Sequence, residues 1–129
     1  MQNVADRYLA DRVATATPAM LVAMLYDAAI GRMTGAAELM DQGKRVAANH
    51  ALIRAQAIVL ELRLALDHEK GGEIATNLDA LYVFIHRLLV KANREGDVEK
   101  VRTCVTLLSP IRDGWRDACL EQRAPVAVS

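Results

Sequence analysis

Apolar side chains return every three or four residues through four long stretches of this chain, and short glycine-bearing breaks at Asp41-Gln42-Gly43, Gly71-Gly72 and Gly96 separate the stretches. This pattern constrains the fold more than any other feature. A strand needs alternation at every second residue, whereas steps of three and four collect side chains on one face of a helix. The clearest start is Thr17-Pro18, an N-cap residue followed by the residue preferred at the first helical position. Helix one is predicted from Pro18 to about Met40, with Leu21, Met24, Leu25, Ala28, Ala36 and Met40 as its apolar stripe. Helix two is predicted from about Arg45 to His68 on Leu52, Ala55, Val59, Leu62 and Leu66, and Gly71-Gly72 is expected to stop it. Helix three runs from about Glu73 to Arg94, with Ile74, Leu78, Leu81, Tyr82, Ile85, Leu88, Leu89 and Ala92. Helix four starts near the N-cap candidate Asp97 and carries Val101, Val105, Leu108, Ile111 and Trp115. Pro110 lies inside it, so a kink is expected there, or a fresh start capped by Ser109.

Four long helices joined by short turns predict an all-α, antiparallel four-helix bundle. With 129 residues the chain fits one domain. Residues 1–16 form an N-terminal segment with room for one short helix, 17–122 the bundle, and 123–129 a flexible tail. Hydrophobic residues are 53% of the chain but aromatics only 4%, so the apolar mass is aliphatic.

The formal net charge is zero, which argues against nucleic-acid or anionic-membrane binding. No apolar run approaches the ~18 residues needed to span a bilayer, and the polar start Met1 to Tyr8 does not resemble a secretory signal core. A cytoplasmic location without membrane insertion is expected. Cys104 and Cys119 both fall on helix four, about 22 Å apart along its axis, too far for a disulfide. Both are expected as reduced thiols.

No catalytic or metal chemistry emerges from the motifs. A di-iron bundle needs Glu-x-x-His, but the residues three before His50, His68 and His86 are Ala47, Ala65 and Val83. Asp67 to Gly72 opens like a calcium loop, yet the twelfth position is Leu78 rather than a bidentate Glu. Gly71-Gly72 follows no strand and precedes no Gly-Lys-Ser/Thr, so it is not a phosphate loop. No Ser or Cys lies in a recognisable nucleophile motif. No cofactor and no enzyme activity are expected. One alternative stands: His50, followed by Ala51-Leu52-Ile53-Arg54, has the outline of a histidine phosphotransfer site on a helical bundle.

Several stretches, in order, resemble the FliS family of flagellin export chaperones. They are Tyr8 to Val13; Thr15-Ala16-Thr17-Pro18 with Leu21 to Asp27; Ala55 to Leu62 with Leu66-Asp67; Glu69 to Leu78 with Leu81-Tyr82; Arg87-Leu88-Leu89 with Ala92-Asn93; and Leu107-Leu108 with Ile111-Arg112-Asp113 and Trp115. Thr17 departs from the family's usual Ser but still caps. Pro110 and Gly114 depart where a regular helix would continue. The resemblance implies a chaperone that binds the C-terminal segment of flagellin, disordered before assembly and helical in the filament. Binding would prevent premature polymerisation and aid flagellar type III export. Other flagellar export or regulatory proteins are further candidate partners, and the chaperone would act as a monomer or homodimer.

The residues expected to carry that binding are Tyr8, Leu9, Val13, Leu21, Met24, Leu25, Tyr26, Gln56, Asn77, Leu78, Leu81, Tyr82, Ile85 and Leu89. Tyr8, Leu9 and Val13 would cover the groove or clamp the cargo. Leu81 and Tyr82 are neighbours and diverge by ~100° around the helix. Tyr82 is expected at a groove and Leu81 in the core, because a tyrosine ring offers area while its hydroxyl stays near water. Tyr26, Tyr82 and Trp115 are equally readable as core residues with a tethered polar atom.

Overall fold

A computed structural model describes residues 17–120. They form four helices: α1 (Pro18–Asp41), α2 (Arg45–Leu64), α3 (His68–Glu95) and α4 (Val98–Leu120). Tyr8, Leu9 and Val13 lie outside the described residues.

The helix ends follow from local chemistry. Thr17 is extended, and its Oγ1 accepts a 3.2 Å bond from the Met20 N–H, with Pro18 opening the first turn. Gly43, at φ +74°, turns the chain after α1. Asp67 caps α3 by accepting from the Lys70 N–H at 2.9 Å. Gly96, at φ +69°, ends α3 in the left-handed region, where its N–H reaches the Ala92 carbonyl. Asp97 then opens α4, with Oδ1 accepting from the Glu99 and Lys100 N–H groups at 3.1 and 3.4 Å.

Two boundaries differ from expectation. Helix two ends at Leu64, not His68, and the chain turns at Ala65 to Asp67. Gly71-Gly72 therefore does not stop helix two. It lies inside α3, where Gly72 (φ 50°, ψ −124°) breaks the helical path after one turn. At the other end, α4 continues through Pro110 as one helix. Ser109 does not restart it, because its hydroxyl donates back to the Val105 carbonyl at 2.7 Å.

Each helix runs antiparallel to its sequence neighbour, and α4 returns beside α1. Contacts fix this ring. Arg45 on α2 meets Asn93 on α3, and Arg63 meets Asp79. Arg102 on α4 meets Asp41 on α1, while Trp115 and Arg116 meet Ala19 and Asp27. The core is aliphatic with three aromatic rings, and no polar or charged residue is buried among the described residues. Its α1 stripe is Val22, Tyr26, Ala29, Ile30, Met33, Ala36 and Ala37. The predicted stripe was out of phase in its first half, where Leu21, Met24 and Leu25 are half-buried and Ala28 is exposed, whereas Ala36 is buried as predicted and Met40 packs against the core. On α2, Leu52, Ala55, Val59 and Leu62 are buried as predicted.

Candidate functional site

The interior holds one polar contact of consequence. Tyr26 on α1 and Tyr82 on α3 are 1% exposed each, and their hydroxyls hydrogen-bond across the core. Trp115 on α4 lies 6.0 Å from the Tyr26 ring, and its indole N–H donates to the Ala19 carbonyl at 2.8 Å. Burial pushes both phenols up from their ordinary range; the bond to Tyr82 offsets this in part for Tyr26, while Tyr26 adds to the rise at Tyr82. Burial also pushes the Cys104 thiol up to about 12. All three groups are neutral at physiological pH, as an apolar core requires. Cys104 and Cys119 are both free thiols.

Tyr82 and Leu81 exchange their expected places. Tyr82 is buried, and Leu81 is half-buried at the surface of the core. Tyr82 still floors a hollow of about 230 Å³ between α2 and α3, with Val59, Leu60, Arg63, Val83, His86 and Arg87 around it. A second, shallower hollow of about 610 Å³ opens further along the same seam, lined by Arg45, Val46, Asn49, Val90, Asn93 and Arg94. Val46 and Leu60 line the two hollows, and Ile53 lies seven residues from each, on nearly the same side of α2. All three are exposed. Gln56 is half-buried on that side. The Asn93 amide donates to Asn49 Oδ1 at 2.6 Å, and Arg45 donates to the Asn93 carbonyl at 2.9 Å. Together they tie the helices at one end, while Arg63 and Asp79 tie them at the other at 2.6 Å.

The other side of α3 carries a second apolar strip. Leu81 and Leu88 are half-buried, and Phe84 between them is 53% exposed. On α4, Leu107 and Ile111 lie half-buried on the side away from the arginines that grip α1. Leu78 is half-buried and Asn77 exposed, while Ile85 and Leu89 belong wholly to the core. The predicted site thus divides into a surface set (Leu21, Met24, Leu25, Gln56, Asn77, Leu78, Leu81) and a buried set (Tyr26, Tyr82, Ile85, Leu89). Val46, Ile53, Leu60, Phe84 and Val90 are exposed apolar residues that the sequence reading did not single out. Their signal was available: Val46, Ile53 and Leu60 keep a seven-residue step outside the core stripe of α2.

Among the described residues, no group of three or more His, Cys, Asp or Glu side chains could hold a metal ion, and no helix is long and apolar enough to cross a membrane. His50 is exposed on α2.

These features define a four-helix bundle whose apolar seams beside α3 remain open at the surface. Sequence comparison adds the family. The family model described as Flagellar protein FliS matches residues 1–122. The flagellar secretion chaperone FliS of Salmonella typhimurium is 40% identical over 105 residues, covering 81% of this chain and 78% of the relative. Its counterpart in Bacillus subtilis is 30% identical over 123 residues (95% and 91%), and that of Escherichia coli 34% over 112 residues (84% and 80%). The chain belongs to the FliS family of flagellar secretion chaperones.

Proposed function

We propose that this protein is a cytoplasmic, non-catalytic export chaperone that binds the disordered C-terminal segment of flagellin and prevents its premature polymerisation. The observation that carries this reading is the pair of open apolar seams flanking α3 in a bundle of this family. A disordered amphipathic segment that folds on docking loses about 2–5 kcal/mol to ordering. Fully covering one large apolar side chain returns about 1.5–3 kcal/mol, and Ile53, Leu60 and Phe84 are each about half covered already. Each then returns about half of that, so roughly two to seven such anchors offset the ordering cost, which favours a long segment that uses both seams over a short peptide. Val46, Ile53, Leu60, Leu81, Phe84 and Leu88 serve as anchors. Gln56, Asn77 and Asn93 offer polar groups to the partner's backbone. Tyr82, Tyr26, Ile85 and Leu89 support the seams from beneath, Leu21, Met24, Leu25 and Leu78 extend the apolar border, and Tyr8, Leu9 and Val13 act as the cover or clamp. The chaperone works without a cofactor, as a monomer or homodimer, and leaves its outer faces to other flagellar export or regulatory proteins.

Calorimetric titration with the cognate flagellin, complete and lacking its C-terminal segment, tests the reading. Complete flagellin should bind and the truncated form should not, and Ile53→Asp and Phe84→Asp should each weaken binding without unfolding the bundle. Equal binding of both flagellin forms would overturn the reading.

A further inference from the structure

The chain has sixteen basic and sixteen acidic residues, but they are not evenly spread. Four arginines line the two hollows of the α2–α3 seam, Arg45 and Arg94 at one and Arg63 and Arg87 at the other, and no carboxylate lines either. Among the described residues, only Arg63 of these four has an acidic partner, Asp79; Arg45 is bonded to the neutral Asn93 carbonyl, and neither Arg87 nor Arg94 is paired with a described residue. Outside the seam, Arg112 and Arg116 are compensated by Asp27, and Arg102 by Asp41 and Glu99, while Arg32 and Arg54 stand singly among the described residues, on exposed faces of α1 and α2. Among the described residues, three positive charges thus stand uncompensated along the same seam that leaves Val46, Ile53, Leu60 and Val90 exposed.

We infer that the α2–α3 seam selects an acidic amphipathic helix, one with carboxylates flanking its apolar stripe. This inference rests on the reading of the seam as a docking site and specifies the charge of what docks. The geometry suits a helix. Val46, Ile53 and Leu60 span about 21 Å along α2 at seven-residue steps, the step at which a facing helix presents successive anchors. Arg87 and Arg94 keep the same seven-residue step on α3, so carboxylates spaced by one heptad on the docked helix meet both. The guanidinium fork matches a carboxylate with two parallel bonds, and uncompensated rim charges steer encounter and reject like-charged partners.

Two synthetic helical peptides of equal length and identical leucine stripe, one with glutamates and one with lysines beside the stripe, test this against the full-length protein by calorimetry at low and high salt. The acidic peptide should bind about tenfold more tightly than the basic one at low salt, and the gap should shrink as salt screens the charges. Arg87→Glu/Arg94→Glu should reverse the preference, Arg87→Gln/Arg94→Gln should remove most of it, and Arg32→Glu on the exposed face of α1 should leave it intact. Equal binding of the two peptides, a preference for the basic one, a preference that survives in the double glutamate variant, or no binding of either peptide overturns the inference. Ile53→Asp separates the two claims. If both peptides bind equally and Ile53→Asp abolishes both, the seam remains a docking site without charge selection. If flagellin binding is indifferent to Ile53→Asp, the docking site itself is lost.

Discussion

The α1–α4 seam and the α2–α3 seam join helices of similar length in the same antiparallel sense, yet one is closed and the other open. Along α1–α4, Trp115 fills the interior and bonds the Ala19 carbonyl, Asp27 holds Arg112 and Arg116 at 3.8 and 2.9 Å, and Asp41 holds Arg102. Along α2–α3 the ties are at the ends, Arg45–Asn93–Asn49 and Arg63–Asp79, and the middle shows apolar side chains to water. The difference teaches that this bundle is stabilised on one side and left unsaturated on the other. Exposed apolar surface contributes nothing to the stability of the free protein, so its presence in a row points to a partner.

The strongest way to break the comparison is to remove the filling of the closed seam. Trp115→Ala should cost about 3–5 kcal/mol of stability, measured by urea denaturation. A loss below 1 kcal/mol would mean that the seam is not closed by its interior. Next comes alkaline pH. Tyr26, Tyr82 and Cys104 hold their protons more tightly folded than unfolded. Their contribution is complete below the unfolded values, near 9 for the thiol and 10 for the phenols, and falls as pH rises above them because only the unfolded chain then releases protons. Each group should lower stability by about 1.4 kcal/mol per pH unit in that range, with the Cys104 share exhausted near pH 12. Urea melts from pH 8 to 11 should show this decline, shallower in Cys104→Ala, and a flat profile contradicts it.

Weaker perturbations probe the open seam. Gly96 is doubly constrained: its φ is left-handed, and a Cβ there would collide with the Arg45 guanidinium that lies over it. Gly96→Ala should cost about 1–2 kcal/mol and release the Arg45 tie to Asn93, so hydrogen exchange should quicken at the start of α2. An unchanged exchange pattern would show that the tie is ornamental. Smallest of all, Ile53→Asp should change stability by no more than about 0.5 kcal/mol while sharply reducing capture of the flagellin segment. A large stability loss would make Ile53 a core residue and sharpen the boundary of the seam.

Much of this was legible in the sequence. The four helices, the caps Thr17 and Asp97, and the buried stripe of α2 follow from spacing and turn chemistry. The errors share a cause: local patterns with two equivalent solutions. On α1, residues 21-24-25-28 and 22-26-29-33 both satisfy helical spacing, and alanines and glycines all around the helix leave little contrast between its faces. At Leu81-Tyr82 both neighbours are apolar, and the choice is made by the Tyr26 hydroxyl, 56 residues away in sequence. Gly71-Gly72 is a proper helix breaker, but which helix it breaks depends on Asp67, whose side chain had already opened α3. Of the kink or fresh start expected at Pro110, the fresh start does not occur: α4 is one helix, with Leu108 and Trp115 buried on either side of the proline. The open seam was the least legible feature, since exposure of an apolar residue is a property of the assembled surface and not of the stretch that carries it.

Trp115 is the single tryptophan of the chain, and its position gives the protein a built-in optical gauge. The indole touches Tyr26, Tyr26 bonds Tyr82, and Tyr82 forms the floor of the α2–α3 hollow. Ultraviolet light absorbed by either tyrosine passes readily to an indole this near, so emission comes from one buried spot whose surroundings change when the bundle loosens or the floor shifts. Unlabelled protein can therefore report its own opening, and the filling of its seam, through the colour and intensity of a single residue.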